Sequence, residues 1–324
     1  MKALLCKKHG LPDTLVLEEV PDPVPAAGEV LIDIRAAGVN FPDVLIIQNL
    51  YQAKPPLPFA PGAELAGVVS AVGPGVTDRK VGDRVIGSST WGAFAERIAL
   101  PVARTLPMPD TLDFDRAAAF VLTYGTSYHA LIDRAALRAG ETVLVLGAAG
   151  GVGLAAIQIA KAAGARVIAA ASSAEKLAVC ADHGADGLIN YATEDLRERI
   201  AALTEGRGPE VIYDPVGGQY AEPAFRSIGW RGRYLVVGFA NGEIPRLPLN
   251  LALLKGASVV GVFWGRYMQS EPGNFAKDIA ALFGWMAEGR INPHICARYR
   301  LAEGARALED LMNRRVTGKV VIQP

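Results

Sequence analysis

Four glycines, Gly147, Gly150, Gly151 and Gly153, stand between the apolar run "VLVL" and the helical pattern "LAAIQIAKAAGA". A glycine turn leading from a strand into a helix suits a phosphate. Small residues let the backbone approach a pyrophosphate, and the helix N-terminus offers N–H groups and positive dipole. Gly150, Gly151, Val152 and Gly153 are the candidate phosphate-binding residues. Against the G-x-G-x-x-G template the first position is Ala148, with Gly150 and Gly153 matching, so these six residues are a weak signal by themselves. The preceding strand, the helix to Ala163, the "AGA" turn and a second strand complete a βαβ unit, which favours a dinucleotide site over a purely structural turn.

In an NADH-binding unit the second strand ends on an acid that grips the adenosine ribose. Here Ala171 stands at that place, followed by Ser172, Ser173 and Lys176. A carboxylate would repel a 2′-phosphate, whereas hydroxyls and an ammonium accept one. The residues therefore point to NADPH rather than NADH. The alternative is a solvated Lys176 and a site indifferent between the two.

The surrounding sequence shows what holds this unit. The runs "EVLIDIRAAGV", "ELAGVVSAVG" and "DRVIG", punctuated by "PDPVPAAGE" and "GPGVTDRKVGD", predict a compact, mostly antiparallel β domain. From about Ala117 the pattern turns helical and then alternates: "TVLVLG", "RVIAAA", "GLINY", "EVIYDPVG" and "GRYLVVGF" are strand-like, with helical stretches between them. That alternation predicts a parallel sheet covered on both faces. After "SVVGVFWG" come two more helical patterns and a final strand-like "GKVVIQP" that returns to the first domain.

A chain of 324 residues with 51% hydrophobic side chains can build two cores. Its 33 basic and 33 acidic residues cancel, and no Lys/Arg cluster is longer than a pair such as Arg314-Arg315, which argues against nucleic-acid and anionic-membrane surfaces. Cys6, Cys180 and Cys296 are odd in number and far apart, so neither a disulfide framework nor a cysteine-built zinc site is expected, and a reducing cytoplasm fits. The opening "MKALLCKKHG" has an apolar run too short for a signal-peptide core. Val143 to Ala160 carries no charge, but its glycines make it a strand-turn-helix rather than a membrane span.

The ordered motifs "RAAGVNFPDVLIIQNLY", "LPFAPGAELAGVV", "VGDRVIG", "LTYGTSYHAL", "VLVLGAAGGVGLAAIQIAKAAGA", "VIYDPVGG" and "TGKVVI" span essentially the whole chain. Together they resemble the zinc-free quinone oxidoreductase branch of the medium-chain dehydrogenase/reductase superfamily, the branch that contains zeta-crystallin. The resemblance implies an α/β fold in which a Rossmann doubly wound parallel sheet is inserted in a partly open β-barrel, GroES-like catalytic domain, with the active site in the cleft between them. The expected boundaries are 1–122 and 263–324 for the catalytic domain and 123–262 for the NADPH-binding domain. Zinc-dependent relatives have a cysteine where this chain has Asn40 and a histidine where it has Ala63, so two ligands of a catalytic zinc are missing. Glu64 remains as a structural carboxylate, the histidines at 9, 129, 183 and 294 are scattered, and no metal is expected.

The resemblance also distributes roles. Asn40 and Asp43, in "NFPD", lie in a loop that reaches the nicotinamide side. Asn40 can hydrogen-bond ribose hydroxyls or a substrate oxygen, with Asp43 orienting it, or it can simply shape the loop. Tyr51 matches a tyrosine assigned proton donation in similar enoyl-thioester reductases, and packing is the alternative. These three are the catalytic candidates. Thr123 is placed beside the nicotinamide, with a helix N-cap as its alternative. Tyr191 and Arg315 match positions near the adenosine 2′-phosphate, and an aromatic with a guanidinium is a suitable phosphate clamp; surface ion pairing is the alternative for Arg315. Gly238, Phe239, Phe263 and Trp264 come from segments near the nicotinamide, their rings walling a pocket or packing in the core. Asp214 is read as a turn residue rather than an acid catalyst.

Without zinc to lower the pKa of a bound oxygen, the chemistry should favour acceptors that do not need it. The leading expectation is NADPH-dependent reduction of quinones. Enone or enoyl-thioester C=C reduction, including acrylate-type substrates, is the second, and an NADPH-binding structural or regulatory protein the third. The expected partner is a small apolar, electron-poor molecule. Homodimerisation is expected through the "SVVGVFWG" edge of the parallel sheet, as in the family; a monomeric mass by light scattering at micromolar concentration would refute it.

Overall fold

The computed structural model describes all 324 residues and divides into two compact units, residues 1–122 with 293–324, and residues 123–292. In chain order the first unit opens with β1 (Lys2–Leu5), β2 (Val16–Glu19), β3 (Glu29–Val39), β4 (Glu64–Val72), β5 (Arg84–Ser88), β6 (Arg97–Pro101) and β7 (Thr105–Pro107). The second holds β8 (Thr142–Leu146), β9 (Arg166–Ala171), β10 (Gly187–Asn190), β11 (Val211–Asp214), β12 (Arg233–Val236) and β13 (Ser258–Gly261). The chain then re-enters the first unit with β14 (Ile295–Arg300) and β15 (Lys319–Gln323).

The main sheet of the first unit runs β14-β15-β3-β4-β5-β7, with β6 also on β3, and it is antiparallel except for the β14–β15 pair. Alternation in β3 sends Val30, Ile32 and Ile34 into a core shared with Leu65, Val69, Val85, Phe94, Val320 and Ile322. Strand β15 lies between β14 and β3 and pairs with β3 in the register Val320↔Val39, so Lys319 comes opposite Asn40.

The second unit is a parallel sheet in the order β10-β9-β8-β11-β12-β13. Counted from its own first strand this is 3-2-1-4-5-6, the doubly wound order whose switch point lies between β8 and β11, beyond whose carboxyl ends ligands bind. Val143, Leu144, Val145 and Leu146 of β8 are all buried, as a strand covered on both faces requires. Strand β13 is an outer strand of the sheet.

Residues 263–292 belong to the second unit, where the sequence reading assigned them to the first. Side-chain packing gives the reason. Tyr267 of helix Trp264–Ser270 stacks on His129 with centroids 3.9 Å apart, and Trp285 of helix Pro272–Ala287 packs on Tyr128. Arg290 donates to the Ala162 carbonyl, and Gln158 bonds the backbone of Asn292 through both ends of its amide. After β13 the sequence also predicts two helices and one strand. The structure has three α-helices there, Trp264–Ser270, Pro272–Ala287 and Gly304–Met312, and the additional strand β14.

Candidate active site

Strand β8 ends at Leu146, and the chain turns at Gly147 with φ +57°, where an added Cβ would lie 2.6 Å from Val216 Cγ2. Only glycine suits both the backbone and the space. Helix Gly151–Ala162 then starts from Gly150, whose cap position makes no side-chain hydrogen bond, so the helix's first N–H groups have no side-chain acceptor. A Cβ on Gly153 would meet the Gly147 and Ala148 carbonyl oxygens at 2.5 and 2.6 Å, so glycine is what lets the helix close onto the strand. A Cβ on Gly150 would meet only Gly147 O, at 3.4 Å. Open space beside uncapped N–H groups fits a pyrophosphate, and Gly150, Gly151, Val152 and Gly153 would hold it.

At the far end, Ala171 closes β9 opposite Asn190 of β10, and the Tyr191 N–H donates to the Ala171 carbonyl at 3.1 Å. Lys176 Nζ reaches Ser172 Oγ at 3.3 Å, and Ser173 caps helix Ala174–Asp182. The structure thus brings Ser172, Lys176 and Tyr191 together at the carboxyl ends of β9 and β10, with the Tyr191 ring 4.3 Å from that of Tyr220. Arg315 belongs to the first unit, where its exposed guanidinium pairs with Asp310 at 3.2 Å.

The remaining second-unit candidates sit on distinct elements. Thr123 is buried as the third residue of helix Val121–Tyr128, so it is not an N-cap. Gly238 and the partly exposed Phe239 follow β12; the Gly238 N–H donates to the Asp214 carbonyl at 3.3 Å. Phe263 is exposed, while Trp264 is buried against Phe275. Asp214 is a turn residue: its Oδ1 accepts from the N–H groups of Val216 and Gly217 at 2.7 and 2.9 Å, and its Oδ2 accepts from the Tyr234 hydroxyl.

The first unit holds a buried polar centre at the end of β3. Lys319, 4% exposed, donates from Nζ to Glu64 Oε1 at 2.6 Å, Asn40 Oδ1 at 2.6 Å and the Val39 carbonyl at 3.1 Å. Glu64, 1% exposed, also accepts from Asn40 Nδ2 at 2.9 Å and, through Oε2, from the Leu122 N–H at 3.1 Å. Asp43, at the start of helix Phe41–Ile47, accepts from the Asn40 backbone N–H at 2.8 Å; it fixes the Asn40 main chain rather than its amide. Burial pushes the Asp43 carboxyl up to about 7, against the opposing pull of the Asn40 N–H and the Lys319 charge. Tyr51 packs half-buried on the same core, and burial together with the Asp43 charge raises its phenol above the usual tyrosine range.

Lys319 is the member of this buried centre that sequence reasoning missed. A lysine opening the otherwise apolar "KVVI" was the available signal, because a buried ammonium demands acceptors. Zinc does not fit this centre. Both Glu64 oxygens are already engaged, the cation on which Asn40 and Glu64 converge is an ammonium, and no group of three His, Cys, Asp or Glu could hold a metal ion.

Comparison with known proteins fits this architecture. A family model described as a zinc-binding dehydrogenase matches residues 151–283, and one described as an alcohol dehydrogenase GroES-like domain matches residues 26–110. Quinone oxidoreductase-like protein 2 of Mus musculus is 39% identical over 323 residues, covering 99% of this chain and 91% of that protein. The chain belongs to the zinc-free quinone oxidoreductase branch of the medium-chain dehydrogenase/reductase superfamily. Within this branch, a Pseudomonas aeruginosa quinone oxidoreductase is 39% identical over 320 residues, covering 98% of this chain and 97% of its own. The Escherichia coli quinone oxidoreductase, solved in complex with NADPH, superposes with a TM-score of 0.93 at 32% identity over 100% of both chains. The GroES-like name attaches to the β-rich unit, and the Rossmann order of the branch is that of the second. No helix is long and apolar enough to cross a membrane.

Proposed function

We propose that this quinone oxidoreductase family member reduces quinones with NADPH by hydride transfer, without a metal. The observation that carries the reading is the ammonium of Lys319, bonded to Asn40 and Glu64 where a metal-dependent centre would need free ligands. When bound, NADPH supplies the hydride; with one proton from solution, a quinone becomes a hydroquinone and NADP⁺ is left. A quinone needs no Lewis acid to accept a hydride, whereas oxidising an alcohol requires its hydroxyl proton to be removed.

The chain's own residues bind, orient and protonate. Gly150, Gly151, Val152 and Gly153 take the pyrophosphate, and Ser172, Lys176 and Tyr191 take the 2′-phosphate, with Arg315 as a further cation for it. Thr123, Gly238, Phe239 and Phe263 would border the nicotinamide, and Asn40 its ribose. Tyr51, held protonated by burial and by Asp43, can donate to an oxygen that gains negative charge.

That last observation also favours a second reading, saturation of an enone or enoyl thioester, in which the enolate oxygen needs such a donor. NADPH oxidation with a panel of quinones and enones, followed by product analysis, separates the two. Hydroquinone as the main product is expected. Saturated C=C products that disappear in Tyr51→Phe would favour the second reading, and no turnover on either class would contradict both.

A further inference from the structure

We propose that Lys319, with Glu64, is a positioning residue that locks the Asn40 amide in one orientation and leaves it able to serve a cofactor ribose hydroxyl but not a substrate oxygen. The inference rests on the reading above that Asn40 meets the cofactor.

An asparagine amide is nearly symmetric in shape, so its orientation is set by its neighbours. Here they are of opposite kind. Lys319 Nζ lies 2.6 Å from Asn40 Oδ1, and Glu64 Oε1 lies 2.9 Å from Asn40 Nδ2. Turning the amide over would set an NH₂ against an ammonium and a carbonyl against a carboxylate, both buried. Two charge-assisted hydrogen bonds would become two repulsions.

Counting donors and acceptors then defines what Asn40 can still do. The three protons of Lys319 go to Val39 O, Asn40 Oδ1 and Glu64 Oε1. The two protons of Asn40 Nδ2 go to Glu64 Oε1 and, at 3.4 Å, to Gly38 O. On Asn40 itself these bonds leave over one lone pair, on Oδ1. A ribose hydroxyl can donate to it. A quinone or enolate oxygen, which needs a donor, cannot use it, and the Lys319 ammonium has no proton to offer either. Asn40 therefore belongs to cofactor binding, and protonation of the acceptor falls to Tyr51 or solvent.

The test is a mutant cycle read by NADPH titration of protein fluorescence and by the quinone KM. Single loss of Lys319 would strand a buried carboxylate, so the charge pair is removed together as Lys319→Met with Glu64→Gln. Asn40→Ala is expected to weaken NADPH binding about tenfold, the size of one good hydrogen bond, with the quinone KM within about twofold of the parent. The paired variant should lose about three- to tenfold, and combining it with Asn40→Ala should add less than about twofold, because no amide is left to position. Multiplying losses in the combined variant would overturn the inference, as would an Asn40→Ala effect on quinone KM with NADPH affinity intact. Unchanged NADPH affinity and KM in Asn40→Ala would also overturn it, while leaving quinone turnover by the parent standing. If the cycle holds but no quinone is turned over, the functional reading fails and the positioning role survives.

Discussion

Lys319→Ala is expected to destabilise the first unit by about 3 to 5 kcal/mol, the range for breaking a buried ion pair on one side only. The substitution removes three hydrogen bonds and leaves the Glu64 carboxylate 1% exposed without its counter-ion. Replacing both partners, Lys319→Met with Glu64→Gln, should cost far less, because no uncompensated charge stays buried. Urea unfolding of the three proteins checks this; a Lys319→Ala loss below about 1 kcal/mol, the size of a surface pair, would show that the centre is solvated. Asp43 gives the same centre a pH signature. Its folded pKa of about 7 lies above the ordinary aspartate value of 3.8, so the folded state binds the extra proton. Its contribution is therefore fully present below about 4 and is lost as pH rises through about 7, and Asp43→Asn should flatten stability in that window.

NADPH is expected to bind roughly a hundredfold or more tighter than NADH. Two charge-assisted hydrogen bonds to a 2′-phosphate, each about 1.5 to 3 kcal/mol, are enough at about 1.4 kcal/mol per tenfold. Ser172 and Lys176 are already 3.3 Å apart and beside Tyr191, and the strand end at Ala171 carries no carboxylate. Lys176→Ala should weaken NADPH about tenfold or more and leave NADH nearly unchanged, while Ala171→Asp should move preference toward NADH. Arg315→Ala should cost less than Lys176→Ala, because that guanidinium is engaged by Asp310. Dissociation constants for both cofactors decide it. Equal affinity in the parent, or equal losses in Lys176→Ala, would remove the 2′-phosphate reading of this strand end.

Much of the second unit was legible because its determinants are local. The glycine turn, the apolar strands and the missing acid at Ala171 all fall within about thirty residues of chain, and hydrophobic period reports them directly. The buried centre was not, because its parts are distant in sequence: Lys319 meets Asn40 across 279 positions and Glu64 across 255. Asn40 and Asp43 could be singled out by type, but nothing local says that the Asn40 amide is committed at both ends. Strand β14 was hidden for a similar reason. "ICARYR" is short and partly charged, and its partner β15 comes after an intervening helix. The end of the second unit is not legible because helices 264–270 and 272–287 carry no mark of which core they cover. Contacts such as Tyr267 on His129 decide it.

The most direct test of metal-free quinone reduction is the steady-state rate of NADPH oxidation with a simple benzoquinone, measured on protein dialysed against a strong chelator and again after zinc is added back. The centre built on Lys319, Glu64 and Asn40 predicts the same rate in both, with hydroquinone formed mole for mole with NADP⁺. A rate lost on chelation and restored by zinc would contradict it.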